Sequence, residues 1–328
     1  MIIGLACASL GLVPWEGGAL ARNRSDNPVA PARAQPRVDD WANPYGPGLR
    51  LETDHYLLYT TLLDPNLLAQ VPDFMESAHK AYNAQLPDPI EPRARSTIYL
   101  FSDRAQWEMA TRDLAGAHAA IFLKIQEGAY CFNGSCIAYD IGPERTLAAL
   151  AHEGWHQFAN RHLAFRLPSW LDEGMAMTFE AFLRKDGQCQ FEPPANAYRL
   201  EPLRETVSRG DLIPLEHLLA MSPGEVMATD RSVHVQTFYS QSYALVRFLR
   251  EAEGARYQAG FRRLLADAVE GRWPLDSDDL TVATDRNVPK TVGWNRVVGR
   301  QLFRYYVADD LEGVQRQYLA FCAQLAAR

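Results

Sequence analysis

The 328-residue chain has little of what several functional classes require. Positive charge is in deficit: 33 Lys and Arg face 40 Asp and Glu, for a formal net charge of −7. With no basic run interleaved with aromatics either, nucleic-acid binding is excluded. No stretch approaches the roughly 20 consecutive apolar residues of a membrane-spanning helix. There is no glycine-rich phosphate loop and no G-x-S-x-G elbow, so nucleotide and serine-hydrolase chemistries lack support. Internal repeats are lacking. Cysteine is scarce: Cys7, Cys131, Cys136, Cys189 and Cys322. No second close pair follows Cys131 and Cys136, which leaves a zinc ribbon without its other half. What remains is 47% apolar and 22% charged residues, a soluble globular composition long enough for one or two domains.

The chain divides by pattern. Residues 1–21 carry an apolar run at 2–13 and end in small residues around Ala19 and Ala21. That resembles an export signal without its positive leading region; a plain apolar tail is the other reading. Residues 22–50 are rich in Pro, Ala, Arg, Asn and Asp without periodicity and read as a flexible lead-in. Order is therefore expected from Leu51, with a sheet-containing part over 51–143 and a helical part over 144–328. Residues 55–62 and 97–101 have the β-branched and aromatic content of strands. Between them Leu67, Val71, Phe74, Met75, Ala78 and Tyr82 recur at helical spacing. A helix capped by Ser102 is expected to run to Leu114, followed by short strands over 119–123, 128–132 and 136–141. Asn133-Gly134 between the last two is a strong hairpin turn. The flanking Cys131 and Cys136 either bridge, in an oxidising compartment, or stand as two thiols beside the turn. From Glu144 the period becomes 3.6. Residues 274–293, with Asp276-Ser277-Asp278-Asp279, are expected to form a long loop. The expected class is α+β, a small N-terminal sheet with helices followed by a mostly helical C-terminal half.

Chemistry concentrates at His152-Glu153-Gly154-Trp155-His156. Residues four apart on a helix sit one above the other, so both imidazoles reach one ion. Glu153, beside the first ligand, can take a proton from a bound water. Leu147, Leu150, Ala151, Trp155 and Phe158 give the apolar band of a helix, which Gly154 weakens by roughly 1 kcal/mol relative to Ala. A second helix opens at Ser169, a good N-cap, with Asp172 three residues on completing a capping-box-like turn. Glu173 then falls in its first turns. A catalytic zinc takes three protein ligands and one open position; His152, His156 and Glu173 supply three. Asp172 is the rival ligand, but capping already accounts for it.

H-E-x-x-H followed by Trp170-Leu171-Asp172-Glu173-Gly174-Met175-Ala176 resembles the gluzincin clan of zinc metallopeptidases. More narrowly, it is similar to uncharacterised bacterial peptidases of that clan. The resemblance spans residues 51–249 and is strongest over 150–158, 167–180 and 239–249. Trp155 stands where many relatives carry a smaller residue. The resemblance implies a zincin-like fold, zinc on His152, His156 and Glu173, and Glu153 as base. It also implies a tyrosine hydroxyl for the oxyanion: Tyr239, or Tyr243 one turn on, both on a helix whose apolar spacing equally suits a core. His234 is a further candidate for the cleft; the other histidines read as surface or core residues. The expected reaction is hydrolysis of a peptide or protein substrate by zinc-activated water, in a periplasmic or secreted protein. The alternatives are a non-catalytic zinc scaffold for a partner or envelope component, and a zinc hydrolase of another amide.

Overall fold

Alternation of apolar residues builds the sheet. The computed structural model describes residues 36–90, 94–185, 188–228, 232–288 and 290–327. The strands are β1 (Arg37–Asp40), β2 (Leu49–Glu52) and β3 (Tyr56–Thr60), then, after helices α1 (Pro65–Leu68) and α2 (Val71–Asn83), β4 (Ser96–Phe101). Helices α3 (Arg104–Ala115) and α4 (Ala119–Phe122) precede the hairpin β5 (Ala129–Phe132) and β6 (Ser135–Tyr139). The spatial order is β1-β2-β3-β4-β6-β5. β3, β4 and β6 run parallel, and the other pairings are antiparallel. Residues such as Leu58, Ile98 and Leu100 alternate with half-buried neighbours and pack on α2 and the long helix that follows. The opposite face carries α3, α4 and a second apolar cluster around Trp107, Phe122 and Tyr130.

The helical half comprises α5 (Pro143–His162), α6 (Ser169–Ala176), a small hairpin of β7 (Phe182–Lys185) and β8 (Gln188–Phe191), and α7 (Ala197–Arg209). After these come α8 (Leu215–Ala220), α9 (Pro223–Ala228), α10 (Ser232–Glu251), α11 (Gln258–Glu270), α12 (Ser277–Thr284), α13 (Val292–Tyr306) and α14 (Leu311–Ala326). The fold is thus α+β in the expected order. Among the described residues no helix is long and apolar enough to cross a membrane.

Several expectations are corrected. The signal-like residues 1–21, with Cys7, lie outside the described residues, but order begins before Leu51: β1 pairs with β2 in full register. Residues 119–122 are helical rather than a strand. The cap of α3 is Asp103, whose carboxylate accepts the Gln106 amide, not Ser102. The expected loop at 274–293 contains α12, because Asp276 accepts two amides of its first turn and so nucleates a helix. Its flanks staple the connection from α5 to α6, where Lys290 Nζ donates to the Leu167 carbonyl and Arg286 to that of Leu163. Cys131 and Cys136 do face each other across a turn with positive φ at Asn133 and Gly134. They are nonetheless free thiols.

Two glycines let helices close on the centre of the molecule. A Cβ on Gly154 would stand 2.6 Å from the Tyr82 hydroxyl, so its weak helix propensity is what lets α2 lie against α5. The same hydroxyl donates to the Ala151 carbonyl at 2.6 Å. A Cβ on Gly174 would stand 2.5 Å from the Ser242 carbonyl, which sets how closely α10 approaches α6. Trp155 is fully buried and packs with Tyr82, Phe158 and Phe179.

Candidate metal centre

Pro143 starts α5 at a position where its missing amide costs nothing, and Gln157 ties the helix to the sheet by donating to the Thr97 and Gly134 carbonyls. His152 and His156 share the face of α5 that meets α6. Their Nε2 atoms lie 3.2 Å apart. Glu173 Oε2 lies 3.4 Å from His152 Nε2 and 3.7 Å from His156 Nε2. Three donors bonded at about 2.1 Å to a tetrahedral ion would stand roughly 3.4 Å apart, so the triangle suits a metal ion. All three residues are at most 2% exposed. Glu173 Oε2 is buried without a hydrogen-bond partner, an arrangement that is costly unless a cation belongs there.

The electrostatics agree. Burial disfavours charge on Glu173, yet the two imidazoles hold its carboxyl at about 2. Burial also opposes protonation of both rings, but the carboxylates override it. His152 is raised by Glu173 and Glu180, and His156 well above its ordinary range by Asp172 and Glu173. The cluster draws positive charge to one point.

What aims the rings lies behind them. His152 Nδ1 meets Glu180 Oε1 at 2.8 Å, and His156 Nδ1 meets Asp172 Oδ1 at 3.1 Å. Carboxylates there fix each Nδ1 as the protonated nitrogen and leave each Nε2 lone pair facing the triangle. Glu180 is itself gripped by Arg199 at 2.6 and 2.7 Å and by Asn196 at 2.9 Å. The capping expected of Asp172 is therefore wrong: α6 follows Pro168 with no side-chain cap, and Ser169 Oγ donates to Asn295 instead. Sequence reasoning missed Glu180 altogether. Its signal was a carboxylate seven residues after Glu173, obscured by a 3-10 turn at Met177–Phe179 that breaks the helical count.

Glu153 is buried beside the triangle but outside it, and its Oε2 has no hydrogen-bond partner. Burial raises its pKa against the pull of both imidazoles. Tyr239 is brought in by α10, under the guanidinium of Arg199 at 5.6 Å, and the charges of Glu173, Glu153 and Glu180 act on it. Burial first, then Glu173, lifts its hydroxyl well above the usual range. Tyr243 is engaged elsewhere: its hydroxyl donates to the Pro193 carbonyl and accepts from Arg247. His234 is exposed in a separate cleft with His217, Glu225 and Arg296, walled by α8, α9 and α13. Beside the centre, Gly128, Ile141, Ala148 and Ala149 line an apolar hollow that reaches Glu180 and Arg199. No family model matches the chain, and no curated protein matches it.

Proposed function

We propose that the chain is a zinc-dependent peptidase of the gluzincin type, exported from the cytoplasm, with Glu153 as its base. The observation that carries this reading is a buried carboxylate set beside, and not within, a triangle of three metal donors. Two imidazoles and one carboxylate are a donor set that suits zinc with a position left open. Zinc bound there supplies a Lewis acid that acidifies water and polarises a carbonyl.

The chain's own residues do the rest. Glu153, raised by burial and unpartnered at Oε2, takes the proton as the water oxygen bonds to the carbonyl carbon. It returns that proton to the amine nitrogen as the C–N bond breaks. Tyr239 stays protonated because burial and the neighbouring carboxylates resist its ionisation, so its O–H can donate to the carbonyl oxygen as charge develops there.

The test is hydrolysis of a peptide library before and after chelation, with zinc restored afterwards, and with Glu153→Gln alongside. Activity should vanish with the metal and return with zinc. A zinc-loaded wild type inert on every peptide would move the reading to a binding scaffold or to another amide.

A further inference from the structure

Beyond the metal ligands, at the C-terminal end of α5, a second group of histidines meets α2 and the start of β3. The His79 ring stacks face to face on His55, centroids 3.7 Å apart and 18° from parallel. Tyr56 meets it edge-on at 6.2 Å, Phe158 at 5.5 Å and His162 at 6.2 Å. Glu76, one turn earlier on α2, clamps the segment before β3. It accepts from Thr53 Oγ1 at 2.6 Å and from the His55 amide at 2.9 Å, and it holds His55 Nδ1 at 2.5 Å. Those bonds overcome burial and keep the Glu76 carboxyl at about 2, so it is a carboxylate and His55 Nδ1 carries a proton toward it. The titratable groups facing His79 are thus His55, Tyr56, Glu76 and His162, and none is a metal ligand.

His79 itself is 8% exposed. Burial, then the neighbouring His55, lowers it from 6.5 to about 4 against the opposing pull of Glu76. The ring is neutral in the packed protein at neutral pH. A proton on it would set a cation in a buried site, stacked on another imidazole. One turn further along α2, Tyr82 braces the metal helix through the Ala151 carbonyl, next to His152.

We propose that His79 is an acid-responsive latch: its protonation breaks the stack on His55, frees α2 from α5 and loosens the helix that carries His152 and His156. The sign follows from linkage. The open state binds the proton more tightly, so closure is fully favoured above pH 6.5 and is lost as pH falls toward 4. Release of α2 is independent of what the centre binds; only the effect on the centre rests on the metal reading.

The experiment is amide exchange of α2 in the full, metal-loaded chain from pH 7 to pH 4, corrected for intrinsic exchange, in wild type and His79→Phe. Phenylalanine keeps a ring against Tyr56 and Phe158 and cannot take a proton. The wild-type opening constant should rise about 100-fold, and that of the variant less than about 10-fold. An equal rise in both overturns the latch. Should the variant not fold, titration of the wild-type His79 ring decides: a midpoint below pH 5 supports the latch, and a midpoint near 6.5 overturns it. Metal release should move to lower pH in the variant; release at one pH in both overturns the link to the centre. A protein that holds no metal at any pH sinks the metal reading alone, and α2 exchange still judges the latch.

Discussion

Two groups of histidines border α5, and only one of them converges. At the centre, His152 and His156 each give Nδ1 to a carboxylate and turn Nε2 to a common point. At the end of the helix, His55 and His79 lie ring on ring, and only His55 is held by a carboxylate. Both groups contain an acid, and His79 is buried like the two rings of the centre. Among the described residues, only the first forms a set of donors able to share an ion. The difference teaches that a binding site is made by fixing which nitrogen faces inward, not by collecting imidazoles.

The largest effect should separate the two groups outright. His152→Ala or His156→Ala should abolish stoichiometric metal binding, a loss above the ~10–100-fold typical of removing a supporting residue. His79→Phe should retain full metal content at pH 7, measured by elemental analysis of the purified protein. Metal retained in both ligand variants, or lost from His79→Phe at neutral pH, would erase the distinction.

Next in size is the base. Glu153→Gln should lower the turnover of any cleaved peptide by ~10²–10⁴-fold. Metal content should not change, since Glu153 lies outside the triangle. Because the replaced carboxylate is buried with an unpartnered oxygen, the melting temperature should hold or rise. An equally active variant would remove Glu153 from the mechanism.

These effects track what could be read along the chain. His152, Glu153 and His156 are legible because four-residue spacing on one helix is local geometry. Glu173 followed from donor count and its place on the next helix. Glu180 and Asp172 were not legible in their roles. Each supports a histidine 28 or 16 residues away, and where they point depends on how α6 and the 3-10 turn after it sit against α5. The strands with alternating burial were found, and the Asn133-Gly134 turn with them. Helix α12 was missed because an Asp-rich stretch looks like a loop until Asp276 is seen capping it. The tyrosines were ambiguous for the same kind of reason: one turn apart on α10, they differ only in partners supplied by other elements.

That ambiguity gives a third test. Tyr239→Phe should cost roughly 10²-fold in turnover if its hydroxyl meets the developing oxyanion. Tyr243→Phe, which loses its bond to the Pro193 carbonyl, should leave turnover near wild type and lower stability by about 1 kcal/mol. Thermal melts and steady-state kinetics on both variants decide it; exchanged phenotypes would exchange the roles.

The smallest effect should be found behind His156, and it distinguishes two physical roles for one side chain. As a helix cap, Asp172 would matter to α6 and not to metal: Asp172→Ala would lower stability by about 1 kcal/mol and leave affinity alone. As the partner of His156 Nδ1 at 3.1 Å, it fixes the tautomer, and Asp172→Ala should weaken metal binding by ~10–100-fold in a chelator competition. Asp172→Asn keeps an oxygen at the same position and can still accept the imidazole N–H, so its loss should stay below about 10-fold. The remaining loss measures the carboxylate's charge, which makes the His156 Nε2 lone pair a stronger donor. Glu180 offers no such clean separation, because neutralising it also removes a carboxylate that pairs with the buried Arg199. Wild-type affinity in Asp172→Ala would return Asp172 to a purely structural role. A graded series, with alanine weakest and asparagine between it and wild type, would show that the ring is aimed mainly by an acceptor and only secondarily by a charge.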